Sequence, residues 1–188
     1  MRRLLLIRHG STDAVRRNAF PIDEPLDDGG RAAAAQLAGK LGRGDALCSP
    51  ALRARETAAA AALDATVDPL LAEGDLGAWA GRTLAEVHEA DPDGVSAWLL
   101  DPHACPHGGE TLAALLQRVG GWMDAQAGRD GRAIAITHAG VVKAAVVHAL
   151  GAPAAAFWRV DVTPLALTEL HGHDGRWTVA RVNAGAAP

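Results

Sequence analysis

Two short apolar runs, each cut off by polar residues of catalytic type, most constrain what this chain can fold into. Leu4-Leu5-Leu6-Ile7 leads straight into Arg8-His9-Gly10, and Ala133-Ile134-Ala135-Ile136 leads into Thr137-His138-Ala139-Gly140. Apolar runs of this length without polar alternation read as strands buried on both faces, the habit of parallel strands in α/β sheets. Ligands of such sheets bind at the carboxyl edge. Both polar segments therefore belong to one candidate site. A glycine after His9 lets the backbone turn sharply or lets a ligand come close.

The rest of the chain supports an alternating plan. Residues 3–9 read as the first strand and 10–26 as a loop holding Pro21 and Pro25. Asp27-Asp28 open a helix to about Leu41, where acidic residues favour the start. Asp45–Cys48 is a second strand. Ser49 then suits an N-cap and Pro50 a first helical position, for a helix to about Leu63. A short strand near Ala65–Val67 precedes a Gly-punctuated loop over 70–82. Helical pieces follow at Thr83–Ala90 and Val95–Leu100, then a loop over Asp101–Gly109 and a helix from about Glu110 to Ala127. Residues 132–137 form the second buried strand, and Gly140–Leu150 a helix. Residues 164–171 and 176–182 close the chain as strands joined by a turn at Gly172–Gly175. The expected fold is an α/β three-layer sandwich, a mixed and mainly parallel sheet with helices on both faces.

Size and charge narrow the partners. The 188 residues suit one domain over 1–188. A net charge of −4 argues against a general nucleic-acid or membrane-surface binder. No apolar run is long enough to span a bilayer. Met1-Arg2-Arg3 and the apolar stretch after it mimic a signal peptide, but Arg8 and His9 follow with no small-residue cleavage site. Two cysteines, Cys48 and Cys105, suggest no disulfide scaffold, and the cytoplasm is the expected compartment. The late apolar strand 164–170 is expected at a sheet edge or a homodimer interface.

Four segments supply a kit for phosphomonoester hydrolysis. Arg8-His9 comes first. Arg53, in the first turn of the helix after Ser49-Pro50, adds a cation where helix N–H groups also favour an anion. Glu73 lies in a loop, and His138 follows the second buried strand. A neutral His9 can attack phosphorus through one ring nitrogen if the other is held by an acceptor such as a backbone carbonyl. Arg8, Arg53 and His138 would neutralise charge on the phosphoryl oxygens. Glu73 would protonate the leaving alkoxide and then serve as base to water. No metal or other cofactor is required, because cationic side chains do that work.

The order and spacing of these residues resemble the histidine phosphatase superfamily, also called phosphoglycerate-mutase-like. The resemblance runs through Arg8-His9-Gly10-x-Thr12, Pro25-Leu26 with Gly30, and Ser49-Pro50-x-Leu52-Arg53-Ala54-x-Glu56-Thr57-Ala58. It continues through Leu71-x-Glu73, Gly77-x-Trp79-x-Gly81, Gly108-Gly109-Glu110 and Thr137-His138-x-Gly140. It implies His9 as the phosphorylated nucleophile, Arg8, Arg53 and His138 as phosphate ligands, and Glu73 as proton donor and acceptor. Members often carry Glu, Thr and Trp-Asn after the first Gly. This chain has Ser11, Thr12, Ala14 and Val15 there, so Ser11 or Asn18 is the candidate to replace the missing Asn. Thr12, Trp79 and Ala139 complete the expected substrate contacts, with Trp98 flanking the pocket. The compact length resembles the phosphatase branch more than the longer sugar-phosphate mutases. Gly151-Ala152-Pro153, Phe157–Asp161 and Trp98 before Pro106-x-Gly108-Gly109-Glu110 resemble phosphatases acting on α-ribazole phosphate in cobalamin assembly. The implied partner is a small phosphorylated metabolite.

Three other readings stand beside this one. A mutase-type phosphotransferase uses the same residues. A zinc module would draw on His103, Cys105, His107, His171 and His173, although their spacing matches no common zinc motif. A non-catalytic phosphate-binding module would keep only the cradle. Locally, Arg53 can instead pair with Glu56 on its helix face, Arg55 reads as solvated, and Glu110 as a helix-start residue.

Overall fold

The computed structural model describes residues 1–185. Its centre is a six-stranded sheet in the order β3-β2-β4-β1-β5-β6. The strands are β1 (Arg2–Arg8), β2 (Asp45–Cys48), β3 (Thr66–Val67), β4 (Gly131–Thr137), β5 (Leu167–His173) and β6 (Arg176–Ala184). β4 pairs in parallel with β1 and β2, and β2 with β3; β5 runs antiparallel to β1 and β6. Each strand of the central pair splits its side chains between two cores. Leu4 and Leu6 of β1 and Ala133 and Ala135 of β4 face one cluster, whereas Leu5, Ile7, Ile134 and Ile136 face the other. On the first face α6 (Leu112–Ala127) and α7 (Ala139–Leu150) bring Trp122, Met123, Val141 and Val142 against the small alanines. On the second, α3 (Leu52–Ala60), with α2 (Asp28–Ala35) packed on it, brings smaller Ala54 and Ala58 against the isoleucines. Large groups thus meet small ones across each interface, as close packing requires. The α/β sandwich and its mixed sheet are as the sequence implies.

Several local expectations differ. The loop over 10–26 contains α1 (Asp13–Arg17), capped by the Thr12 side chain, which accepts from Val15 N. α2 ends at Ala35; residues 36–40 continue as tighter turns, and Leu37 and Leu41 still reach the core. Ser49 does not cap α3. Ala51 holds that position without a side-chain bond, and Pro50 lies outside the helix. The cap of α6 is Thr111. The loop over 70–82 contains 3₁₀ turns at Pro69–Leu71 and Gly77–Trp79, and a third covers Ala154–Arg159. Two helices, α4 (Leu84–Ala90) and α5 (Pro92–Leu100), form the expected pair over that region. β5 is not an edge strand: it lies between β1 and β6, so β6 carries the edge. Among the described residues no helix is long and apolar enough to cross a membrane.

Candidate active site

The register of the sheet brings the signatures together. Arg8 lies opposite Thr137, and Cys48 opposite Ile136, so His9, Ser49 and His138 leave three adjacent parallel strands at one edge. Two backbone bonds carry the ladder into the site: His9 N donates to Thr137 O (2.8 Å) and Ser49 N to Ile136 O (2.9 Å). Gly10 packs on the start of α2, where an added Cβ would lie 2.9 Å from Gly30 O. Gly10 N donates to Thr57 Oγ1, which itself donates to Arg53 O, so α3 clamps the turn after β1.

His9 is buried at 4% exposure. Its Nδ1 lies 2.7 Å from Gly10 O, which can only accept, so Nδ1 carries the proton. Nε2 then holds the lone pair and accepts from Arg53 Nε at 3.2 Å. Burial, followed by Arg53 and Arg8, pulls the His9 pKa down to about 3 against the opposing Gly10 carbonyl. His138 is fully buried and lies edge-on to His9, ring centroids 5.1 Å apart. Arg53 Nη2 donates to its Nδ1 (3.2 Å), so its Nε2 donates to Ser49 Oγ (2.7 Å). Burial, then His9 and the arginines, holds His138 well below the usual imidazole range.

The depressed values have a direct consequence. His9, with its pKa at about 3, takes up no proton as the pH falls from 7 to 5, and His138 is shifted in the same direction, whereas both protonate near 6.5 in the unfolded chain. Unfolded protein therefore binds more protons across this window, and the stability these groups contribute above 6.5 is lost as pH falls toward about 3. Nitrogen-15 shifts of the His9 ring are expected to stay those of neutral imidazole down to pH 5. An imidazolium signal for His9 at pH 6 would contradict the burial argument.

Two guanidiniums frame the histidines. Arg53 spreads its donors over His9, His138 and Ile22 O, and Arg8 donates to Val162 O. Arg8 Nε is buried without a partner in the fold. Burial lowers both arginine pKa values, and the Glu73 charge opposes it. Arg53 does not pair with Glu56, which accepts from Leu26 N and pairs with Arg31 instead. Arg55 is exposed and donates to Pro50 O.

Glu73 approaches from outside the sheet. Its Oε2 accepts from Gly140 N (3.2 Å) at the start of α7, and its Oε1 from Gly74 N. A Cβ at Gly140 would lie 2.2 Å from Glu73 Oε1, so glycine is what allows the carboxylate in. The segment before it is pinned twice. Thr137 Oγ1 donates to Leu71 O, and Arg118 of α6 donates to Leu70 O and Ala72 O. Arg118 is itself gripped by both oxygens of Glu110, at 2.9 and 2.7 Å. Glu110 thus anchors the loop rather than capping α6.

A cavity of about 150 Å³ holds Arg8, His9, Thr12, Val15, Asn18 and Glu73 together. Of the two candidates to replace the missing Asn, Asn18 lines this cavity. Ser11 does not, because its hydroxyl donates to Asp27. Thr12 reaches the wall, but its hydroxyl is committed to the cap and to Glu24. Trp79 is a correction: it is 3% exposed and packs between Phe20, Trp98 and His107, in a layer that does not line the cavities around Glu73. Trp98 does line one. Ala139 begins α7 directly after His138, at the positive end of that helix. Sequence reasoning missed three residues: Ser49 as partner of His138, Arg118 as anchor of the Glu73 segment, and Lys143, which lines a cavity with Glu73.

The zinc reading finds no geometry. Among the described residues no three His, Cys, Asp or Glu side chains could hold a metal ion. His103 is exposed, His107 accepts from Gly109 N, and His171 pairs with Glu169 on β5 at the opposite end of the sheet.

Comparison with known proteins agrees with the geometry. The family model described as histidine phosphatase superfamily (branch 1) matches residues 4–185. A protein of Mycobacterium tuberculosis named bifunctional is 36% identical over 195 residues, covering 96% of this chain and 53% of its own length. The chain thus spans about half the length of the first curated relatives it matches. An Escherichia coli adenosylcobalamin/alpha-ribazole phosphatase is 31% identical over 173 residues, 85% of each chain. The structure of a mycobacterial glucosyl-3-phosphoglycerate phosphatase superposes with a TM-score of 0.87 at 28% identity, covering 98% of this chain and 100% of that one.

Proposed function

The chain belongs to the histidine phosphatase superfamily, and from that premise we propose that it is a metal-independent phosphomonoesterase working through phosphohistidine on His9. One observation carries this reading. The His9 Nδ1 proton is tied to Gly10 O, so the Nε2 lone pair stands among two arginines with Glu73 across the same cavity.

The reaction follows in two displacements. Nε2 attacks phosphorus in line, the bond to the alcohol oxygen breaks, and Glu73 gives that oxygen its proton. Arg8 and Arg53 stabilise charge on the transferring group, and His138 positions Arg53 by accepting from its Nη2. The alcohol leaves. Water, losing a proton to Glu73, attacks the phosphohistidine, and the N–P bond breaks to return His9 and inorganic phosphate. Glu73 is then protonated for the next cycle.

The substrate is a small phosphorylated metabolite. The segments around Gly151–Asp161 and Trp98 resemble those of phosphatases acting on α-ribazole 5'-phosphate, a name the Escherichia coli relative bears. The mycobacterial structure bears another. Relatedness does not separate the two, so the leaving-group cavity decides. Phosphate release in EDTA tests the reading on nitrophenyl phosphate, α-ribazole phosphate, glucosyl-3-phosphoglycerate, 3-phosphoglycerate and phosphoserine. Release is expected without added metal. Release that EDTA removes, or isomerisation of 3-phosphoglycerate in place of hydrolysis, would overturn it.

A further inference from the structure

Glu73 borders two further cavities, and they differ in chemistry. One, of about 360 Å³, runs past Ser49 and Arg53 and carries the carboxylates of Asp23 and Asp75 on its rim. The other, of about 200 Å³, is walled by Leu76, Trp98, Leu112, Leu115 and Phe157, with Trp158 edge-on to Trp98 at 4.6 Å. Lys143 stands in this second cavity. It lies one helical turn beyond Gly140, the residue whose N–H holds Glu73, so it shares that face of α7.

The ammonium of Lys143 is uncommitted. It forms no ion pair with any described residue, and its Nζ lies 5.5 Å from the centre of the Phe157 ring. The other carboxylate of this cavity, Glu110, is occupied by Arg118. Lys143 is half-buried, and burial lowers its pKa while Glu73 and Asp161 oppose the shift. A cation with few polar neighbours on an apolar wall gains most from an anionic oxygen brought in by a ligand, since the pair forms away from bulk water. The first cavity offers that anion Arg53, which the proposed reaction gives to the phosphoryl group, beside two carboxylates.

We propose that Lys143 is a specificity-determining residue for the leaving group: it selects phosphomonoesters whose alcohol carries a carboxylate or similar anionic oxygen beside an apolar ring face. The assignment rests on the phosphatase reading above. It places the phosphate on the His9 side of Glu73, the scissile oxygen at Glu73, and the body of the alcohol between Trp98 and Phe157 with its anion at Lys143. Among substrates of equal size, it favours an acid-bearing alcohol over a neutral nucleoside-like one.

Two aryl phosphates of matched shape test it, 4-carboxyphenyl phosphate and its neutral counterpart 4-carbamoylphenyl phosphate. The quantity read is the ratio of their kcat/KM values, in which intrinsic reactivity cancels between variants. Lys143→Met is expected to lower the ratio about tenfold, the order of one charge-assisted contact. Lys143→Arg should keep it within about threefold, since charge is retained. Lys143→Gln reads the same ratio in a polar background, so poor folding of one variant does not shield the idea. An unaltered ratio in the Met and Gln variants would overturn the assignment. So would an equal loss on both compounds, which would mean that Lys143 acts through Glu73. Absence of release from either compound by the unmodified protein would instead sink the phosphatase reading itself.

Discussion

His9→Ala is expected to lower phosphate release by about 10⁴-fold or more, the scale seen when a nucleophile that acts as part of a unit is removed. The expectation is specific to the geometry. His9 Nε2 has its proton-free lone pair fixed by the Gly10 carbonyl, and the other imidazole at the site, His138, is spoken for at both nitrogens by Arg53 and Ser49. Nothing else in the His9 cavity is an equivalent nucleophile: its other polar groups are arginine, threonine, asparagine and Glu73. The measurement is nitrophenyl phosphate turnover in EDTA by both proteins purified alike. It is joined by acid quenching to look for protein-bound phosphate. Turnover by the variant above contaminant level, or label retained on it, would exclude the covalent route.

Glu73→Gln is expected to separate the two halves of the reaction by leaving group. An alkyl phosphate needs its oxygen protonated as it departs and should lose about 10³-fold, within the usual range for a positioned acid. Nitrophenolate leaves without that help and should lose about tenfold or less in the first displacement. The substitution is a fair probe because glutamine matches the shape. Its carbonyl can still accept from Gly140 N, and only the bond from Gly74 N is given up. An equal loss on both substrates in kcat/KM, which reads the first displacement, would show that Glu73 is not the acid, and Asp75, two residues on, would become the candidate. The present contacts speak against Asp75, whose carboxylate accepts from Gly77 N at the start of the 3₁₀ turn.

The strand ends were readable because two rules act on the same few residues. Leu4–Ile7 and Ala133–Ile136 are apolar at every position, which requires cover on both faces, and their polar successors must then emerge at one edge. The site histidines and arginines follow from that placement and from the family resemblance. What stayed hidden depends on pairings that have no period. Arg118 sits on an ordinary amphipathic helix, and only the fold brings its guanidinium to Leu70 O and Ala72 O. Lys143 lies in a helix so apolar that its one cation reads as incidental. Ser49 before Pro50 satisfies a capping rule in sequence, yet Ala51 takes the cap position, and the Ser49 hydroxyl accepts from Ala51 N and from His138. Trp79 was assigned to the pocket by its place in a motif, but a ring that can stack on Phe20 and meet Trp98 buries more surface in the layer beneath. α1 is not legible because five residues carry almost no periodic signal; Thr12 and its cap decide it.

In the proposed reaction the groups that handle phosphorus and the groups that handle the alcohol belong to different parts of the chain. His9, Ser49 and His138 are continuous with the hydrogen-bond ladder of three neighbouring strands, so none can shift without disturbing the others. Trp98, Leu112 and Phe157 come from segments outside the sheet, on α5, α6 and the 3₁₀ turn at Ala154–Arg159, and Glu73 stands between the two sets. Mutational drift in the second set can retune which alcohol is accepted while leaving phosphoryl transfer intact. The division makes the scaffold modular: a lineage can change its diet without relearning its chemistry.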